Sequence, residues 1–458
     1  MFAPLADRRF RHLFAAQTIA LFGTGLTTVA LSLLAFDLAG GNAGAVLGTA
    51  LALKMIAYVT IAPVAGAVAH RLDRRRLLVA LDLARAGIVL ALPFVTAVWQ
   101  VYLLIFLVNA CSAAFTPVFQ ASIPDVLRDE ERYTQALSLS RLAYELENLL
   151  SPAAAALALL AISYDGLFLA NAAAFAASAL LVAATRLPAA RVPERAGGIA
   201  ENLLFGLRIY LRTPRLRALL ALAVAVAAGG AMTIVNTVVI VRDRLGGSDS
   251  DTALAFAAAG AGAMAAALAL PRLLGRLPER PVMLAGGAAM GIGLLAGLLQ
   301  PGLAGLLAVW LLLGAGSALV QTPAGRLLRR SSSEGDRPAL FAAQFALSHL
   351  CWLVTYPLAG WAGSVLGLEA AFAILAALCL AATAIGFRLW PSPDPQVLPH
   401  SHAAQVHAHL HVHDDDHHRH AHEGWEGPEP HSHPHRHAAG RHAHAFVVDL
   451  HHPAWPQR

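Results

Sequence analysis

The sequence predicts an all-α polytopic membrane protein: twelve transmembrane helices in two six-helix halves, then a disordered His-rich C-terminal tail. Three observations carry that class. The 458 residues are 57% hydrophobic and 13% charged, with a mean hydropathy of +0.59, whereas a soluble domain carries roughly 25% charge. Apolar stretches of about 20 residues, the length that crosses a bilayer core, recur along most of the chain. The pattern stops at Trp390, and 18 of the 21 histidines fall in the last 59 residues. The short alternating segments of a β-barrel are not evident.

The spans read as 12–38, 43–69, 77–99, 101–121, 135–160, 165–185, 217–241, 252–271, 281–300, 303–325, 339–366 and 369–390. Basic residues in short loops set the orientation. They cluster at the N-terminus (Arg8, Arg9, Arg11) and in the even-numbered loops, as in Arg71 with Arg74, Arg75 and Arg76, or Arg326 with Arg329 and Arg330. The odd loops are nearly free of them, Arg242 and Arg244 excepted. Both termini are therefore expected in the cytoplasm. The start, MFAPLADRRFRHLF, has no cleavage pattern, so the first span is expected to be an uncleaved anchor. Lys54 is the only lysine, and Ala and Gly abound. That composition points to a GC-rich bacterial genome, hence a bacterial inner membrane.

The longest internal loop, about 186–216, splits the spans six and six, an organisation many secondary transporters share. Its segment ENLLFGLRIYLRTPRLR is amphipathic and is expected to lie along the membrane surface. The parts are thus an N-terminal half over 1–186, a central loop over 187–216, a C-terminal half over 217–390 and a tail over 391–458.

Pro391, Pro393, Pro395 and Pro399 end the last helix. The tail has few apolar residues and shows no helical or strand period, so it is expected to be disordered without metal. It holds four Arg against eight acids, a net −4 that leaves +9 on the membrane body. Its histidines are His400, His402, His407, His409, His411, His413, His417, His418, His420, His422, His431, His433, His435, His437, His442, His444, His451 and His452. Neutral imidazole is the commonest metal ligand and suits Ni, Cu, Zn and Co(II). Asp414, Asp415 and Asp416 add oxygen ligands, and no Cys or Met favours Cu(I). No spacing chooses among Ni, Co and Zn. A polytopic membrane protein with such a tail points to metal movement. Cys111, Cys351 and Cys379 sit in apolar segments and form no metal motif.

Charges within spans cost at least ~2.5–3.5 kcal/mol each at a helix centre, so they mark cavities or partners. Lys54 lies near mid-membrane in the second span, as a protonation-responsive cavity charge or as a structural ion pair. In the fifth span Arg141, Glu145, Asn148 and Pro152 share one face, and Glu147 points elsewhere, towards the side of Tyr144 and Ser151. A carboxylate there can exchange a proton for a divalent cation, or Glu145 can merely neutralise Arg141. Asp82 and Arg85 read as a local pair anchoring the cytoplasmic gate. His349 is the only histidine deep in a span, a hydrogen-bonded structural residue or, with Glu145, an intramembrane metal ligand. Asn236 and Gln321 read as helix–helix hydrogen-bonding groups. No Walker phosphate loop is present and nothing argues for nucleophilic catalysis, so the chain reads as no enzyme and needs no cofactor.

GAVAHRLDRRR, from Gly66 to Arg76, resembles the loop motif of the major facilitator superfamily, with His70 where that family usually has Asp. TPVFQASIPDVLRDEERYTQALSL and GLRIYLRTPRLRALLAL resemble its exporter branch, and Ser151-Pro152 stands at the antiporter motif without its glycines. Body and tail together are similar to the NreB-type nickel-resistance exporters. The resemblance implies proton-coupled export of Ni(II), or of Co(II), by a monomer whose partners are the bilayer, the metal ion and protons, with no nucleic acid. Export of small organic compounds or metal chelates, and a metal buffer or sensor without flux, remain alternatives.

Overall fold

The computed structural model describes the backbone of residues 3–68, 73–127, 130–185, 187, 199–332, 337–394, 397–402, 405–411, 431–437, 440–448 and 455. Side chains are described over the same stretches, except at 62–68, 199–203, 337–338, 398–445 and several positions between 117 and 152.

Six long helices fill the first half: α1 (Arg8–Ala39), α2 (Ala43–Val68), α3 (Arg74–Leu90), α4 (Val98–Val126), α5 (Glu130–Ala158) and α6 (Tyr164–Ala183). The amphipathic connecting segment forms α7 (Ile199–Arg212). Six more follow: α8 (Pro214–Val238), α9 (Asp249–Leu274), α10 (Glu279–Gly297), α11 (Leu303–Arg330), α12 (Arg337–Trp361) and α13 (Leu368–Leu389). Among the described residues ten stretches are long and apolar enough to cross a membrane, one of them, Arg8–Ile61, uniting α1 with most of α2. The protein is a multi-pass α-helical membrane protein.

Helix starts follow local chemistry. Asp7 caps α1 by accepting from the Arg9 and Phe10 amides, and Asp73 caps α3 by accepting from that of Arg76. The neighbouring Arg75 donates to the Ala183 carbonyl at the end of α6. The facilitator-like loop thus ties α3 to α6 at its Asp-Arg end; His70 and Arg71 lie outside the described residues. Arg242 and Arg244, the exceptions to the charge pattern, are both engaged: Arg242 pairs with Asp249, and Arg244 donates to the Pro301 carbonyl at 3.0 Å.

The two halves repeat one packing scheme. In the first, α1 lies on α6, α2 on α4, and α3 on α6; in the second, α8 lies on α13, α9 on α11, and α10 on α13. The halves meet reciprocally, α2 on α12 and α9 on α5. This is the arrangement of an internal repeat about a pseudo-two-fold axis. Glycine sets several close approaches. A Cβ on Gly286 would meet the Gly316 carbonyl oxygen at 2.6 Å, and one on Gly316 would meet that of Gly286 equally closely. The Gly-rich ninth and tenth spans therefore pack backbone to backbone, as small residues permit in a membrane. Asn236 donates from α8 to the Ala359 carbonyl of α12 at 3.0 Å, the helix–helix role expected of it.

The tail departs from its expected lack of period. Strand β1 (Val397–His402) pairs with β4 (Gly440–Ala445), and β2 (Gln405–His411) with β3 (His431–His437), both antiparallel. The physical reason lies in the sequence: His-x-His alternation is itself a period of two, the period of a strand. Residues 412–430 lie outside the described residues.

Candidate functional site

A cavity of mixed polar and apolar lining opens inside the first half. It encloses about 590 Å³, its open mouth included. Helix α1 supplies Thr24, Thr28 and Ser32, one per turn, with Thr27 beside them; α4 supplies Asn109 and Ser112, and α6 supplies Asn171. Lys54 of α2 is the one charged residue among those lining it. Asn171 donates to Thr27 Oγ1 at 2.6 Å, while its own buried Oδ1 has no hydrogen-bond partner. The cavity therefore sets hydroxyls, amides and the Lys54 amine among apolar side chains such as Leu31, Leu47, Val89 and Phe175.

Beneath its wall lies the pair expected at the start of the third span. Asp82 is about two turns inside α3 and fully buried. Its carboxylate accepts from Arg85 and, at 2.7 Å, from Ser178. Arg85 also reaches the cavity-lining Ser112 at 3.5 Å, with its guanidinium over the rings of Phe115 and Phe175. The pair thus stands in the interior of the half, against the cavity.

Two further sequence candidates lie within electrostatic reach of Lys54. Glu147 of α5 places its Oε1 against α1 at Gly25, where a Cβ would meet it at 2.6 Å and would overlap Ser151. Glu147 lies within electrostatic reach of Lys54. His349 of α12 does so from the other half. Its ring stacks on Tyr58, one turn along α2 from Lys54, at 5.7 Å and meets the Phe345 ring at a tilt, 3.8 Å between centroids. Its Nδ1 lies 2.7 Å from the Phe345 carbonyl oxygen, which can only accept, so Nδ1 carries a proton and donates it there. A chain of ionisable groups, Glu147–Lys54–His349, thus runs from α5 through α2 to α12, across the meeting line of the halves.

Arg141, Glu145 and Asn148 lie on helical backbone in α5, with side chains outside the described residues. Whether Glu145 and His349 meet falls outside them too. Among the described residues no group of three or more His, Cys, Asp or Glu could hold a metal ion. The tail imidazoles are not among those side chains. The sequence reading, which looked for charge, missed the cavity's neutral lining; the signal was the Thr24, Thr28, Ser32 repeat of four.

The Major Facilitator Superfamily model matches residues 13–277 and 220–427. The chain belongs to the Major Facilitator Superfamily. Curated relatives match over shorter stretches. The uncharacterized MFS-type transporter YfiS of Bacillus subtilis is 27% identical over 213 residues, 44% of this chain and 49% of that one. Macrolide efflux protein A of Streptococcus pyogenes is 29% identical over 154 residues, 32% and 37%. The chain thus spans about half the length of the first and a little over a third of the second.

Solved structures match more fully. The nucleoside transporter NupG superposes with a TM-score of 0.67 at 14% identity, over 83% of this chain and 98% of that one. A bacterial homologue of the human lysosomal transporter Spinster gives 0.66 at 14%, over 84% and 97%. A D-xylose–proton symporter gives 0.63 at 15%, over 84% and 98%. At such identities the likeness shows the facilitator fold.

Proposed function

We propose that this facilitator exports Ni(II), with Co(II) secondary, from the cytoplasm of a bacterium in exchange for protons, with both termini cytoplasmic and the tail gathering metal at the inner mouth. The carrying observation is the attachment of 18 histidines in 59 residues to a facilitator body. Glu147, Lys54 and His349 supply the coupling chain: protonating one member changes the field at the next, and the chain spans the line along which the halves must rock. Glu145 and Arg141, which share another face of α5 by the helical repeat, remain candidates for coupling, and Asp82–Arg85 lies against the cavity wall.

A second reading has its own observation. The one charged group lining the cavity is an ammonium, and an ammonium repels a bare dication. Hydroxyls, amides and a cation suit a neutral or anionic organic compound or a metal chelate, and one relative is named for macrolide efflux. A buffer or sensor without flux would have no need of buried charges whose placement in a span is costly.

Proton release from acidified inverted vesicles separates the readings. A response to Ni(II) or Co(II), weaker in a chain ending at Pro399, supports metal–proton antiport. Silence with every metal and a response to organic compounds moves the function to the second reading.

A further inference from the structure

Arg215, in the first turn of α8, is 1% exposed, and it holds both ends of the tail. Its Nε donates to Ser331 Oγ at 2.8 Å and its Nη2 to the Arg330 carbonyl at 2.9 Å, which fixes the guanidinium against the end of α11. Where the tail departs, Asp394 lies 3.6 Å from Arg215 Nη1 and takes 2.8 and 3.0 Å contacts from Arg330 and Trp390. Where it returns, the Phe446 carbonyl accepts from Arg215 Nη2 at 3.1 Å. The Trp455 ring lies 4.9 Å from the Arg215 guanidinium and meets Phe446 edge-on at 5.3 Å. Phe446 and Val448 are 3% and 2% exposed.

The ladders lie between these two ends. Their register sets His400 opposite His442, and His407, His409 and His411 opposite His435, His433 and His431. Residues two apart in a strand share a face, so the β2–β3 ladder gathers seven histidine positions on one face, His437 opposite Gln405 included. Directly opposed positions have Cβ atoms about 4.5–5.5 Å apart, a spacing one metal ion can bridge through two imidazoles.

We propose that Arg215 and its surroundings are the docking site for the chain's own terminal segment, and that this docking holds the cross-strand histidine pairs in register for a metal ion. The inference rests on the tail binding metal. A loop tied at both ends has already lost much of the entropy that a free tail gives up when it closes on a metal. Metal that bridges the strands favours the same register that brings Phe446 and Trp455 to Arg215. Each event therefore favours the other, by the same factor in both directions.

The test uses the full chain in lipid nanodiscs, with Trp455→Ala at the docked end. Arg215→Lys is a second variant that keeps the charge but loses the planar fork. Without metal, the amides of 446–448 are expected to exchange about tenfold or more slowly in the parent chain than in either variant. Added NiCl2 should slow them further, and Trp455→Ala should weaken Ni(II) binding by the same factor. Equal and rapid exchange in all three chains overturns the docking. Slow exchange with equal Ni(II) affinity overturns the coupling and leaves the metal reading standing. No Ni(II) binding in any chain overturns the metal reading itself and the coupling with it.

Discussion

Arg85 is paired with Asp82 one turn away while its guanidinium lies between the rings of Phe115 and Phe175, 4.2 and 4.4 Å from their centroids. A buried pair of this kind costs little to replace whole and much to break. Asp82→Asn leaves Arg85 charged beside a neutral amide, and is expected to destabilise the protein by about 3–5 kcal/mol. Asp82→Leu combined with Arg85→Met should cost less than Asp82→Asn alone. Thermal unfolding of the purified variants in one detergent checks the order. A double variant less stable than Asp82→Asn would remove the argument.

Glu147 and Lys54 are read as neighbours in one coupling chain, so their substitutions should not add. Lys54→Met and Glu147→Gln are each expected to abolish transport driven by a pH gradient, and the double variant should be no worse than either. Initial rates in inverted vesicles, with and without an imposed gradient, check this. Gradient-driven transport at the parent rate in Glu147→Gln would exclude that residue from coupling.

Gly25 is the position at which α1 lets Glu147 and Ser151 approach. Gly25→Ala puts a methyl into Ser151 and against the Glu147 carboxylate, and overpacking of that sort costs about 1–3 kcal/mol. Because the displaced group is Glu147, transport should fall further than stability. Gly87→Ala is the control, since nothing lies within 4 Å of its added Cβ. Paired melting and transport measurements on the two variants check the prediction. Equal transport loss in both would detach Glu147 from the effect.

How far the sequence spoke depended on what each feature costs. The spans were legible because about 20 apolar residues in a row have no inexpensive alternative to a bilayer. Lys54, Glu147 and His349 were legible one at a time, since a charge or imidazole in a span stands out; that they form a chain across the halves was not, because it depends on α2 meeting α12. Thr24, Thr28 and Ser32 passed unnoticed as a lining because each hydroxyl bonds back to a carbonyl four residues earlier, at modest cost in any helix. Arg215 and Asp394 read as an ordinary loop arginine and tail acid; only folding brings positions so far apart in the chain together. The ladder of the tail was legible in principle, but its histidines drew attention as ligands and not as a strand period.

Metal binding by the tail should depend on pH with a definite sign. A metal takes imidazole only in its neutral form, and an unperturbed imidazole titrates near ~6.5. Protons therefore compete, and affinity falls as pH falls. Between pH ~7.5 and ~5.5 the neutral fraction drops about tenfold per imidazole, so a site of two cross-strand histidines loses roughly 100-fold in affinity. Calorimetric titration of Ni(II) into the full chain at several pH values measures the slope. His409→Ala with His433→Ala removes one opposed pair, and should weaken binding more than His418→Ala with His420→Ala. If the two double variants bind alike, the histidines act as an unordered pool and the register has no part in holding metal. If affinity is flat across that pH range, carboxylates such as Asp414–Asp416 carry the binding in place of the imidazoles.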